Sequence, residues 1–148
     1  MSIKSTWLVA LILTLLCTGS LASYGQNQGS VTIKVLMIQA QNESAPIDPR
    51  LERVEYKLRR VFGFQFYKYV AEGTVSLLAG GQGVIELAQG HRLQVNLGGG
   101  KGRNAEVHWM HENQVLLRTS VKLSGDGPLV LGGVPSNGGK LILVLSSK

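Results

Sequence analysis

Beyond Gly63 the apolar residues of this chain recur at every second position, and that period decides what it can build. Leu93, Val95 and Leu97 alternate with Arg92, Gln94 and Asn96; Ala105, Val107 and Trp109 alternate with Glu106, His108 and Met110. Val115, Leu117, Thr119, Val121 and Leu123 continue the pattern against Leu116, Arg118, Ser120 and Lys122. A period of two sends alternate side chains to opposite faces of a strand, so each segment has one buried and one wet face. Shorter strands are expected over 64–70, 74–78, 84–87 and 129–131. The last, 141–145, is Leu-Ile-Leu-Val-Leu, apolar on both faces, and so belongs in the interior of a sheet. Turns fall at 112–114 and at Ser124-Gly125-Asp126-Gly127.

Before Gly63 the period differs. Residues 31–41 read as a strand rich in Val and Ile, and 42–47 as a loop. Asp48-Pro49 then opens a helix: Asp48 can accept from free N–H groups, and proline loses nothing at the first helical position. Leu51, Val54, Leu58, Val61 and Phe62 fall on one face at helical spacing, and Gly63 can take the left-handed stop. The expected fold is α+β: one amphipathic helix over 49–62, packed on a mainly antiparallel β-sandwich or open barrel of about eight strands. The alternative is a small βαβ unit over 31–70 followed by a separate β-domain.

The N-terminus carries a different kind of signal. Lys4 precedes an apolar run from Trp7 to Leu16, and small residues gather between Cys17 and Gly25. This order is that of a secretory signal peptide. The run is shorter than the about 20 apolar residues a membrane span requires. Cleavage fits after Ala22 or, with polar residues following at once, after Gly25. Residues 1–25 are thus expected to be leader and 26–148 a single exported domain, periplasmic, outer-membrane-associated or extracellular. Lipidation at Cys17, the one cysteine, would need small residues before it, where Leu15 and Leu16 stand. Without the leader the chain has no cysteine, so disulfides, thiol nucleophiles and cysteine metal sites drop out together.

Lys4 is the leader's only charged residue, so the exported part keeps a net charge of about +5 of the +6 for the whole chain. Such a charge suits an anionic surface, and in a cell envelope glycolipid is more accessible than nucleic acid. Arg50, Arg53, Lys57 and Arg60 lie on one arc of the helix beside its apolar stripe, with Glu52 and Glu55 on the other side. A basic stripe beside an apolar one can face an anionic membrane surface or a partner protein. Lys101 and Arg103 give a second pair of candidate contacts. Their glycine-rich surroundings, from Gly98 to Gly102, lack the Ser or Thr and the following helix of a phosphate loop.

Other chemistry finds little support. His108 and His111 are three apart, which on a strand sends them to opposite faces, and His91 adds no fixed geometry, so no metal site is expected. No hydrolase motif occurs. Glu86 and Glu106 are the strand carboxylates a glycosidase pair would need, and Tyr67 and Tyr69 the aromatics that could stack on sugars. No catalytic residue and no cofactor is assigned.

One segment resembles a known family. Arg118-Thr119-Ser120-Val121-Lys122-Leu123, the turn Ser124-Gly125-Asp126-Gly127, and Leu129-Val130-Leu131-Gly132-Gly133-Val134 resemble a β-hairpin of the bacterial secretin pore domain. The chain is much too short for a pore domain and lacks the ring-building modules. The resemblance therefore implies an accessory place near a secretion or pilus system and not a pore. The whole chain also resembles small exported bacterial proteins of unknown function.

The sequence thus leads to an exported, non-enzymatic binding or assembly protein of the bacterial envelope. Its expected partner is an envelope protein or anionic surface, or a second copy of itself. The alternative is a small carbohydrate-binding or hydrolase-like domain.

Overall fold

The computed structural model describes residues 29–100 and 103–148. The segment read as a leader, both expected cleavage points, Cys17 and Lys101 lie outside the described residues.

The strands are β1 (Val31–Gln41), β2 (Phe66–Leu77), β3 (Gln82–Glu86), β4 (His91–Leu97), β5 (Asn104–His111), β6 (Gln114–Lys122), β7 (Leu129–Ser136) and β8 (Gly139–Ser147). They form two antiparallel sheets of four, ordered β2-β1-β8-β7 and β3-β4-β5-β6. Consecutive strands follow the order of a meander whose last strand returns to pair with the first. The ladder is interrupted between β2 and β3 and between β6 and β7, so the sheets make a sandwich and not a closed barrel. One helix, α1 (Glu52–Phe62), follows a single 3₁₀ turn at Pro49–Leu51.

β8 lies inside its sheet, as its apolar sequence requires. Leu141, Leu143 and Leu145 join Ile33, Val35 and Met37 of β1 in the core between the sheets. Ile142 and Val144 turn the other way, with Ile38 and Ala40, and meet Leu51, Val54 and Leu58 of the helical segment. The molecule therefore has three layers: helix, first sheet, second sheet. Leu141–Leu145 of β8 and Met37–Ala40 of β1 are buried on two faces because each face has its own cover there, while Lys34 in the first half of β1 stays exposed.

The helix begins as the sequence predicts. Asp48 Oδ1 accepts from the Arg50 N–H at 3.0 Å, and Gly63 ends the helix at φ +68° with its N–H on the Arg59 carbonyl. Val61, expected in the apolar face, is 61 % exposed. It sits at the margin of the stripe in the last turn, where Phe62 reaches Gly133 of the edge strand β7. β1 and β2 pair antiparallel and side by side, so α1 covers them and is not the crossover of a βαβ unit.

Three further differences have local causes. The strands expected over 64–70 and 74–78 are one, β2, running through Gly73. A side chain at Gly73 would collide with Ile85 of β3, so glycine here allows a close approach between sheets and does not mark a break. On β6 a register shift opposite Trp109 and Met110 takes Leu116 out of the pairing and leaves Val115, expected inside, 52 % exposed. β7 runs on to Ser136 because Asn137-Gly138, with φ of 45° and 76°, makes a two-residue hairpin turn into β8.

Candidate functional site

The four helix cations have different surroundings. Arg50 pairs with Asp48 at 2.7 Å and lies 3.7 Å over the Tyr69 ring. Its side-chain hydrogen bond holds the Asp48 carboxyl down at about 2. Lys57 is half-buried and donates to the Pro128 carbonyl in the β6–β7 loop at 2.9 Å. Arg53 and Arg60 are exposed and make no ion pair among the described residues. The stripe therefore divides: Arg50 and Lys57 tie the helix to the sheet, while Arg53 and Arg60 remain open to a partner. Arg103 is exposed beside a shallow cleft with Ser30, Val31 and Leu97, at the β4–β5 end of the second sheet. Its carbonyl accepts from the Leu123 N–H at 2.6 Å, and Leu123 borders a cleft that Lys57 also lines, so Arg103 stands at the end of the molecule where Lys57 lies, without a side-chain hydrogen bond or ion pair to the helix cations among the described residues.

The carbohydrate-site residues are dispersed. Tyr67 is buried, its hydroxyl donating to the Leu58 carbonyl at 3.0 Å, and burial raises its pKa. Tyr69 has one ring face covered by Arg50. The two tyrosines thus form no open stacking platform. Glu86 stands across from Arg92 and Glu106 across from Asn96, with β4 between them. Strand geometry puts them about 16 Å apart, beyond the roughly 5–10 Å of a glycosidase pair. Glu106 instead meets His108 Nε2 at 2.8 Å on the outer face of the second sheet, and this hydrogen bond lowers its pKa.

The histidines separate as strand geometry requires for 108 and 111. His91 is only 5 % exposed. Trp109 Nε1–H donates to His91 Nδ1 at 3.2 Å, which leaves the neutral ring's proton on Nε2. His111 stacks on His91 with centroids 4.4 Å apart. Burial, and then His111, lowers the His91 pKa. His91 opens the strand β4 opposite His111, the last residue of β5. A hydrophilic residue at each end of a hairpin is ordinary in sequence, so nothing there marks the pair as buried.

The clearest unfilled pairing capacity is on β6. Its neighbour β5 buries Ala105, Val107 and Trp109 to 2 %, 1 % and 0 % exposure. Leu117, Thr119 and Val121 oppose Trp109, Val107 and Ala105 on the same inward face, yet all remain partly exposed. β6 pairs with β5 alone, so one backbone edge is free. From Leu117 to Lys122 its register is regular, with no proline. The other sheet edges are less receptive. β3 has five residues, and β7 carries a register shift and Pro135. β2 carries a shift at its partner's Met37 and Ile38 and lies against β3. Short, bulged or proline-bearing edges resist pairing with a further strand.

Residues 118–134 do not make the hairpin that the secretin likeness implies. β6 pairs with β5, β7 pairs with β8, and the turn at Ser124–Gly127 carries the chain from one sheet to the other. Among the described residues no helix is long and apolar enough to cross a membrane. Compared with protein-family models, with curated proteins and with solved structures, the chain matches none of them.

Proposed function

We propose that this is an exported protein of the bacterial cell envelope that acts by binding and assembly and not by catalysis, accessory to a secretion or pilus system. The free edge of β6 is the place where an extended segment of a partner adds as a further strand. The fall in burial from β5 to β6 carries this reading. Leu117, Thr119 and Val121 have the alternation of a core strand but are only partly covered. An added strand would satisfy the free backbone groups and bury those side chains, which is how strand addition gains both affinity and register. Arg53 and Arg60, on the outer helix layer, are available to orient the molecule on an anionic envelope surface.

The test is a crosslinked pull-down of the tagged protein from its own envelope fraction, with Thr119→Lys as the comparison. An inward-pointing charge on an edge blocks a further strand and is tolerated by the fold because it can reach solvent. The wild type should enrich a secretion or pilus component, and Thr119→Lys should lose it while keeping a cooperative thermal transition. Recovery of the bait alone, or equal recovery by both proteins, would remove the strand-addition reading.

A further inference from the structure

We propose that the cleft between the two sheets at the His91 end of the sandwich binds a small apolar molecule by its carboxylate. β4, β6 and β8 begin at this end, and β5 and β7 finish there. The cleft has a volume of about 390 Å³, and His91, His111, Leu116, Val134, Ser136 and Leu141 line it. That size falls within the roughly 300–1,000 Å³ of small-molecule sites.

Strand alternation directs these side chains into one space. His91 continues the inward row of Leu93, Val95 and Leu97, and His111 stands opposite it in register. Leu116 of β6 packs on the core between the sheets, as do Val134 of β7 and Leu141 of β8, which pair with each other. Ser136, two residues beyond Val134, lies on the same inward face. The second sheet thus supplies two imidazoles and Leu116, and the first sheet an apolar wall and a hydroxyl. Gln39 of β1 holds that wall in place, its side-chain amide donating to the Ser136 carbonyl at 3.1 Å.

His91 is buried with half of its hydrogen-bonding capacity met. Nδ1 accepts from Trp109, which lies one inward position deeper in the core, opposite Leu93. The proton of the neutral ring is then on Nε2, on the other side of the ring. That N–H has no hydrogen-bond partner among the described residues, and it is the polar group of His91 left to the cleft. His111, stacked on His91 at 4.4 Å, brings a second imidazole, and Ser136 a hydroxyl. Two imidazoles side by side can present two N–H groups, which suits the two oxygens of a carboxylate, and a charged acceptor makes the stronger bonds. Leu116, Val134 and Leu141 would cover the rest of the ligand, a hydrocarbon chain or ring. The net charge of +6 favours an anion, while Glu112, exposed at the β5–β6 turn beside Gly90, opposes it. The cleft uses neither the free β6 edge from Leu117 to Lys122 nor Arg53 and Arg60, so it stands apart from strand addition.

The experiment is an amide-shift titration of the ¹⁵N-labelled protein with octanoate and with octanol, its uncharged counterpart. Saturable shifts are expected at His91, His111, Leu116 and Ser136, with octanoate binding about tenfold or more tightly than octanol. His91→Phe keeps a ring of similar bulk and removes the N–H. It should weaken octanoate about tenfold or more and leave octanol within about twofold. His111→Gln, at a partly exposed position that the fold tolerates, should weaken octanoate about threefold or more and decides the matter if His91→Phe does not fold. Glu112→Gln should tighten binding, and Arg53→Gln with Arg60→Gln should leave it unchanged. Shifts that stay linear, octanol binding as tightly as octanoate, or octanoate affinity unchanged in the histidine variants would overturn the site. So would a loss in the arginine variant equal to that in the histidine variants, which would assign the binding to net charge alone.

Discussion

Removing the Ile142 side chain tests whether the helix is a true third layer. Ile142 is fully buried on the face of β8 that meets α1, and Leu143, its neighbour, is fully buried on the face that meets the second sheet. If both covers are firmly packed, Ile142→Ala and Leu143→Ala should cost nearly the same. Truncation of a buried Leu or Ile to Ala loses its transfer free energy and leaves a cavity, together roughly 3 kcal/mol, within an observed span of about 2–5. In a domain near this size 1 kcal/mol moves Tm by roughly 4 °C, so each variant should melt roughly 12 °C lower. Val84→Ala, at a side chain that is 52 % exposed, should change stability by less than about 0.5 kcal/mol and serves as the control. Urea unfolding followed by far-ultraviolet circular dichroism measures all three. A cost below about 1 kcal/mol for Ile142→Ala beside the full cost for Leu143→Ala would refute the three-layer packing, since that outcome requires a helix face with little contact.

Gly139→Ala should be among the most damaging single changes. A Cβ there meets the backbone oxygen of Ala40, which no side-chain rotation can move away, so a loss of roughly 1–3 kcal/mol or more is expected in thermal melting. The stability should also fall as pH drops below about 6.5, the ordinary imidazole value. His91 has a lowered pKa in the folded state, so the unfolded chain takes up a proton that the folded one resists. The His91 contribution is whole above that ordinary value and declines toward the folded value. The folded ring is faced by Trp109 and His111 from β5, with Glu112 beside Gly90 at the adjoining turn. A protein of residues 26–148 lacks Trp7 and has Trp109 as its one tryptophan, so its fluorescence reports on this contact. His91→Phe should flatten the pH dependence between pH 6.5 and 5, and an unchanged slope would exclude His91 as its source.

Local pattern made much of this fold legible. The two-residue period over 91–97 and 104–111 located β4 and β5, and Asp48, Pro49 and Gly63 bounded the helix, because these signals depend on neighbours in the chain. The doubly apolar run at Leu141–Leu145 even required an inner strand. The errors lie where distant segments decide. The alternation breaks at Gly73, but the close approach of Ile85 requires glycine there within one continuous strand. The alternation places Val115 inside, but the shift opposite Trp109 turns it outward. Asn137-Gly138 is a signal that the sequence did contain, and it would have extended β7.

The candidate sites were less legible. The basic arc is visible from helical spacing, but only packing separates Arg53 and Arg60 from Arg50 and Lys57, which bind the protein to itself. By itself the sequence determined the strand and helix alphabet, the order of the elements and the expectation of export, since each rests on local composition and period. Tertiary structure alone decided which edge stays unpaired, which histidine is buried and which cations face solvent. Those properties arise when segments far apart in the chain compete for the same space, and that competition leaves no trace in local order.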